Sequence, residues 1–142
     1  DHERPGARLD VVQPHVTEVR VPVLGPREGW AVEEFSLRGG DFAITAAAVR
    51  LRLGPDGRIE LARIALGGVG STPLRVPQAE DILAGVTPDP DRIDRAARLV
   101  AQCIQPESDI HASAAYRRHL AYVLVRRALR KAGSRALPEE AS

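Results

Sequence analysis

The spacing of apolar and polar positions divides the chain into a strand-rich first half and a helical second half. In TEVRVPVL, 17–24, Val19, Val21 and Val23 share one face and Glu18 and Arg20 the other, which predicts a half-buried strand that Pro22 confines to a sheet edge. A loop with Gly25, Pro26 and Gly29 then delivers Trp30, the only tryptophan, into AVEEFSLRGGDFA, where 33–37 fits a short helical turn and a strand equally well. Val49, Leu51 and Leu53 alternate with Arg50 and Arg52, and Pro55-Asp56-Gly57 supplies a tight reversal, so a hairpin with a return strand at 58–66 is expected. On the return strand Ile59 and Leu61 have one parity and Ile64 and Leu66 the other, which predicts a bulge at Ala62-Arg63. LGGVGSTP, 66–73, removes side chains so that backbone can approach closely, and Pro73 and Pro77 end strand pairing.

Three helices are expected to follow. The first, 77–84, opens on Pro77 and stops at Gly85. The second, 90–104, has Asp89 as N-cap and Asp91 near the positive end of its dipole, and its stripe of Ile93, Ala97, Val100 and Ile104 is expected to bury against the sheet. The third, 113–131, places Tyr116, Leu120, Val123, Leu124 and Ala128 on one face and ends in Arg130 and Lys131, with Gly133 as its C-terminal cap. Strands before helices give an α+β class: an antiparallel sheet of three to four strands with three helices packed on one face. The organisation expected is a linker and edge strand at 1–28, a domain body at 29–133 and a tail at 134–142. No repeat at intervals of ~20 to 50 residues is visible, which excludes solenoids and propellers.

Composition sharpens this picture. With 142 residues, 44% of them apolar, the chain has one domain's worth of core and is not disordered as a whole. Twenty basic against 19 acidic residues leave a formal charge of +1, so no polyanion or membrane surface is demanded as a partner. A single cysteine, Cys103, closes no internal disulfide, which points to a reducing, cytoplasmic setting. No run approaches the ~18 apolar residues of a membrane span, and DHERPGARLD is charged where a signal peptide is apolar. Asp at position 1, the absence of methionine and the linker-like opening lead us to expect a piece of a longer protein.

Candidate chemistry is sparse. Gly68 and Gly70 lack the third glycine of a dinucleotide fingerprint, no lysine follows for a P-loop, and Pro73 intervenes before any helix, so close packing at a strand end is the reading of the glycine run. His111 and His119 stand eight residues apart, too far for a helical zinc grip. Ser108, Asp109, His111 and Ser113 offer a serine, a histidine and an aspartate without a nucleophile elbow, and helix capping by Ser108, Asp109 or Ser113 accounts for the cluster better. Cys103 reads as a small buried hydrophobe. Arg117, Arg118, Arg126, Arg127, Arg130 and Lys131 make the outer side of the third helix basic, a solvated or interface face more than a nucleic-acid surface, since aromatic residues are only 4% of the chain.

In order along the chain stand EVRVP (18–22), GW-x-x-E-E-F (29–35), GDFAI (40–44), DGRI (56–59), ALGGVGSTPLR (65–75) and SDIHASAAYRRHLAYVLVRRAL (108–129). Together they resemble the C-terminal domain of the FAD-binding medium subunit of molybdenum hydroxylases, the carbon monoxide dehydrogenase and xanthine dehydrogenase family. The resemblance implies a part of an oxidoreductase that relays electrons from a molybdenum site through [2Fe-2S] clusters on a small subunit to FAD and an external acceptor. It implies FAD held mainly by an N-terminal FAD-binding domain outside this chain, a molybdenum cofactor on a large subunit, and no catalytic residue or metal site here. The stretch 30–43 corresponds to the family segment near the isoalloxazine ring, where some relatives carry a lysine against the cofactor. Aligned through Asp41-Phe42-Ala43, that lysine falls on or beside Glu33, whose carboxylate repels an anionic reduced flavin. Arg38 is then the candidate positive charge, and Asp41 is expected to orient the turn through Asx-type hydrogen bonds. Glu33, Arg38 and Asp41 are thus the cofactor-side candidates. The alternative is a standalone scaffold or interaction module of the same fold without redox activity.

Overall fold

The computed structural model describes residues 17–20 and 23–137. Four strands, β1 (Glu28–Phe35), β2 (Thr45–Leu53), β3 (Ile59–Gly67) and β4 (Leu74–Arg75), precede three helices, α1 (Pro77–Asp81), α2 (Pro90–Cys103) and α3 (Ala114–Ala136). The sheet has the order β1-β2-β3-β4 with every neighbour antiparallel. The expected α+β class with helices after strands is observed.

On β2 the period of two is complete: Thr45, Ala47, Val49, Leu51 and Leu53 are buried, and the residues between them face outward. The reversal at 54–57 is closed by Gly57 N–H donating to Gly54 O at 3.0 Å and by Arg58 N–H donating to Asp56 Oδ1 at 3.1 Å. The bulge lies earlier than its sequence signal. Arg52 pairs with Leu61 but Leu53 with Ile59, so Glu60 is the extra residue. Ala62 thereby joins Ile64 and Leu66 on the inner face, and it is Leu61 that is displaced to the half-buried side.

The first strand also begins elsewhere than expected. The described part of 17–24 forms no strand, and Val19 and Val23 are exposed by 74% and 94%. Alternation alone supplies no partner, and β1, eight residues long with Gly29 and Ala31 inward, takes the place beside β2. The 33–37 ambiguity resolves to strand as far as Phe35. The linker expected at 1–16 and the tail beyond Leu137 lie outside the described residues.

Helix α3 lies across β1 and β2, α1 packs on β3, and α2 packs on α3 and α1. The stripe of α2 therefore buries against helices and not, as expected, directly against the sheet, whose inner face α3 already occupies. Small residues let α3 approach: a Cβ on Gly29 would stand 2.0 Å from the Ala132 carbonyl oxygen. Asp89 caps α2, its carboxylate accepting Arg92 N–H at 2.9 Å, and Ser113 caps α3, its hydroxyl accepting Tyr116 N–H at 3.2 Å. The third helix outlasts its expected end. Gly133 is no cap but a buried helical residue with Pro88 against it, and the helix runs on to Ala136, into the segment read as tail. Gly85 does adopt the left-handed conformation expected of it, at φ +73°.

Candidate functional site

The segment between β1 and β2 carries Arg38 and Asp41 and stands at the N-terminal end of α3. Ile44 N–H donates to Phe35 O at 2.8 Å and closes its base. Within it, Asp41 N–H and the Ser36 hydroxyl both donate to Arg38 O, at 3.2 and 2.9 Å. The turn is thus held by the main chain of Asp41, whose carboxylate makes none of the expected Asx-type bonds among the described residues. Leu37 is 62% exposed and Phe42 fully so. Two apolar side chains and one guanidinium-bearing residue are presented together.

Glu33 is placed apart from them. It lies on the α3 side of β1, its side chain 13% exposed, and it forms an ion pair with Lys131, the only lysine of the chain. The structure therefore brings Arg38 and Asp41 onto one loop and holds Glu33 against the helix.

Sequence reasoning missed Arg117, which it assigned to the basic outer side. Arg117 is buried, 8% exposed. Its guanidinium donates to Ile44 O at 2.5 Å, to Gly68 O at 2.8 Å and to Asp109 Oδ2 at 2.6 Å. Spacing held the signal: Arg117 stands three, four and seven residues before the buried Leu120, Ala121 and Leu124, on the apolar stripe itself. Asp109 also accepts the N–H groups of His111 and Ala112, each at 2.9 Å. The Arg117 hydrogen bond, then these backbone donors, hold the Asp109 carboxyl down at about 2. The capping reading of 108–113 is correct as far as it goes, since Ser108 Oγ accepts Ala114 N–H at 2.8 Å, but Asp109 does more than cap.

Clefts of about 440 and 480 Å³ flank this pair. The first is bordered by Leu37, Asp41, Phe42 and His111, the second by Gly68, Ser71, Gln105 and Glu107. The glycine run is not a phosphate cradle. A Cβ on Gly68 would meet Ile44 O at 2.2 Å, so its bareness serves the close approach of backbone where β2 begins and β3 ends, and β4 separates it from α1.

The sheet face opposite the helices bears a shallow apolar trough with Trp30, Val32, Ala48 and Ala65, bordered by Arg50, Arg63 and Arg75. Trp30 and Val32 are 50% and 55% exposed. Arg135 stacks over the Trp30 ring at 5.6 Å and donates to its carbonyl at 2.7 Å.

Among the described residues no cluster of three metal-ligating side chains occurs, and no helix is long and apolar enough to cross a membrane. Cys103 is exposed, not buried as expected, because the stripe of Ile93, Ala97 and Val100 turns the last residue of α2 outward. The basic outer side of α3 is partly spent inside the chain: Arg126 donates to the Tyr122 hydroxyl at 3.0 Å, and Arg118 to Ile104 O at 3.4 Å.

Residues 30–132 match the family model of the CO dehydrogenase flavoprotein C-terminal domain. The chain is 40% identical over 127 residues to the 6-hydroxypseudooxynicotine dehydrogenase complex subunit alpha of Paenarthrobacter nicotinovorans, covering 89% of this chain and 43% of that protein. It is 35% identical over 133 residues to the carbon monoxide dehydrogenase medium chain of Afipia carboxidovorans, covering 92% and 46%. Among solved structures, carbon monoxide dehydrogenase from Hydrogenophaga pseudoflava superposes with a TM-score of 0.76 at 33% identity, over 81% of this chain and 40% of that one. Quinoline 2-oxidoreductase from Pseudomonas putida 86 gives 0.73 at 35% identity, over 80% and 39%. The chain spans less than half the length of these relatives. On this match and on the sheet and helices described above, the chain belongs to the family of CO dehydrogenase flavoprotein C-terminal domains.

Proposed function

We propose that this chain is the C-terminal part of the FAD-binding medium subunit of a molybdenum hydroxylase. In that reading the complex is an oxidoreductase, with a large molybdenum subunit, a small [2Fe-2S] subunit and an external acceptor, and the residues before β1 lead from the FAD-binding domain into a body that runs from β1 to the end of α3. The observation that carries it is the family match over 30–132, which takes in the exposed loop from Leu37 to Phe42 with its apolar and cationic side chains. These residues fit one wall of a flavin site: Leu37 and Phe42 offer apolar contact, and Arg38 offers a charge opposite to that of an anionic ring. The pyrophosphate cradle is not among the described residues, so the cofactor is gripped mainly by other polypeptide. FAD, when bound, supplies the electron exchange; this chain orients and covers it. Arg38 and Asp41 are the cofactor-side residues, with Glu33 retained by Lys131 beneath α3. The outer sheet face, with Trp30 and Val32 exposed, is the surface the rest of the subunit covers. A cytoplasmic location belongs to the same reading, supported by the exposed, unpaired Cys103.

Visible absorbance tests it. A full-length subunit is expected to carry flavin absorption and this chain alone none. Absence of flavin from both would overturn the assignment and favour the scaffold alternative.

A further inference from the structure

Two consecutive residues in the first turns of α3 grip the two ends of the loop between β1 and β2. The Tyr116 ring meets the Phe35 ring edge-on, with centroids 6.1 Å apart, and Arg117 donates to Ile44 O at 2.5 Å. The same guanidinium holds Gly68 O at 2.8 Å and Asp109 at 2.6 Å. One side chain thus ties together the end of the β1–β2 loop, the glycine turn after β3 and the segment before α3. A guanidinium fork is suited to this, since its donors diverge in one plane at fixed angles, whereas an ammonium is a point charge on a flexible stem. Asp109 fixes the fork's rotation, and is itself fixed by the N–H groups of His111 and Ala112. The loop's own bonds are local, confined to Phe35, Ser36, Arg38, Asp41 and Ile44, so they fix its shape but not its orientation against the body.

We infer that Arg117, oriented by Asp109, is a positioning residue that sets the direction in which the 36–44 loop presents Arg38, Asp41 and Phe42. The inference rests on the functional reading above for what the loop faces, but not for the clasp itself. Loss of the clasp loosens the closing bond from Ile44 N–H to Phe35 O and frees the loop to swing about Phe35 and Ile44.

Hydrogen exchange and flavin spectroscopy on the full-length subunit test it, with Arg117→Lys and Asp109→Asn as variants. Arg117→Lys keeps the charge and removes the fork, and Asp109→Asn keeps an acceptor and the fold while removing the charge that aligns it. Exchange of amides in 36–44 is expected to rise about tenfold, the equivalent of one hydrogen bond to a charged group. The β2–β3 hairpin is expected to keep its protection, and the flavin absorption envelope to change in the same variants. Unchanged exchange in 36–44 overturns the inference, as does a rise shared equally by the hairpin and helices. A local rise with an unaltered flavin spectrum upholds the clasp and overturns the assignment of the loop to the cofactor. A wild-type subunit without flavin overturns the functional reading instead, and leaves the exchange result to judge the clasp.

Discussion

The carboxylate of Glu80 on α1 accepts the backbone N–H of Ile64 on β3 at 2.9 Å. The two-residue β4 pairs only with Ala65 and Leu66, so without Glu80 this edge donor would face the interior unpaired. Arg75, donating to both carboxylate oxygens at 3.1 and 2.5 Å, and Arg63 at 3.5 Å neutralise the buried charge. Glu80→Ala is expected to destabilise the chain by about 2–4 kcal/mol, since it orphans Ile64 N–H and leaves two guanidiniums without their partner. Glu80→Gln, which retains an acceptor, is expected to cost about half of that. Urea unfolding midpoints check both.

Acid should weaken the fold through the same kind of group. Burial pushes the Glu80 carboxyl up, but hydrogen bonds from Arg75 and Ile64 N–H bring it net below its ordinary value of 4.5. Asp109 goes further, from 3.8 to about 2. A depressed folded pKa gives stability that is complete above the unfolded value and is lost as pH falls through the folded one. The Asp109 contribution should therefore be intact above about pH 4 and disappear towards about pH 2. Melting of wild type and Asp109→Asn across this range should show a difference that narrows with acidification; a constant difference would contradict the pairing.

Two glycines are occupied space and not flexibility. Gly29→Ala puts a Cβ 2.0 Å from Ala132 O and 2.7 Å from Ala136 N, which α3 can relieve only by lifting off the sheet. Gly68→Ala adds a left-handed φ of +74° to a contact of 2.2 Å with Ile44 O. Each is expected to cost about 2–4 kcal/mol. Gly39→Ala, with nothing within 4 Å of the added carbon, should stay within about 0.5 kcal/mol of wild type. Denaturant titration of the three variants separates crowding from a general intolerance of alanine.

The outer sheet face should tolerate charge in the isolated chain and not in the assembled protein. Val32→Asp, at a position 55% exposed, is expected to leave the melting temperature of the chain nearly unchanged. Its neighbour Ala31, 1% exposed, points into the core, and Ala31→Asp should prevent folding. In the full-length subunit Val32→Asp should release flavin or partner subunits on size-exclusion chromatography, and unaltered co-elution would refute the role assigned to this face.

Of the fold, the β2–β3 hairpin, the caps at Asp89 and Ser113 and the left-handed Gly85 were legible in the residues themselves, because each is a local choice: side-chain parity, one carboxylate or hydroxyl near a free N–H, one backbone angle. The candidate loop was legible through Arg38 and Asp41, but its anchor was not. Arginine on a helix reads as solvent-facing unless a partner is known, and two of the three partners of Arg117 are carbonyls 73 and 49 positions away. The displaced bulge, the lack of a strand among the described residues of 17–24 and the continuation of α3 past Gly133 have one cause. Periodicity says which residues want cover, and only the assembled layers say which of them receive it.

Sequence alone determined the class, the succession of strands before helices, the β2–β3 reversal and the caps at Asp89 and Ser113, all carried by neighbours along the chain. Tertiary structure alone decided that Glu33 would pair with Lys131, that Arg117 would be buried as a clasp and that Trp30 would be left on an open face. Those outcomes depend on which surfaces α3 covers once Gly29 lets it close on the sheet.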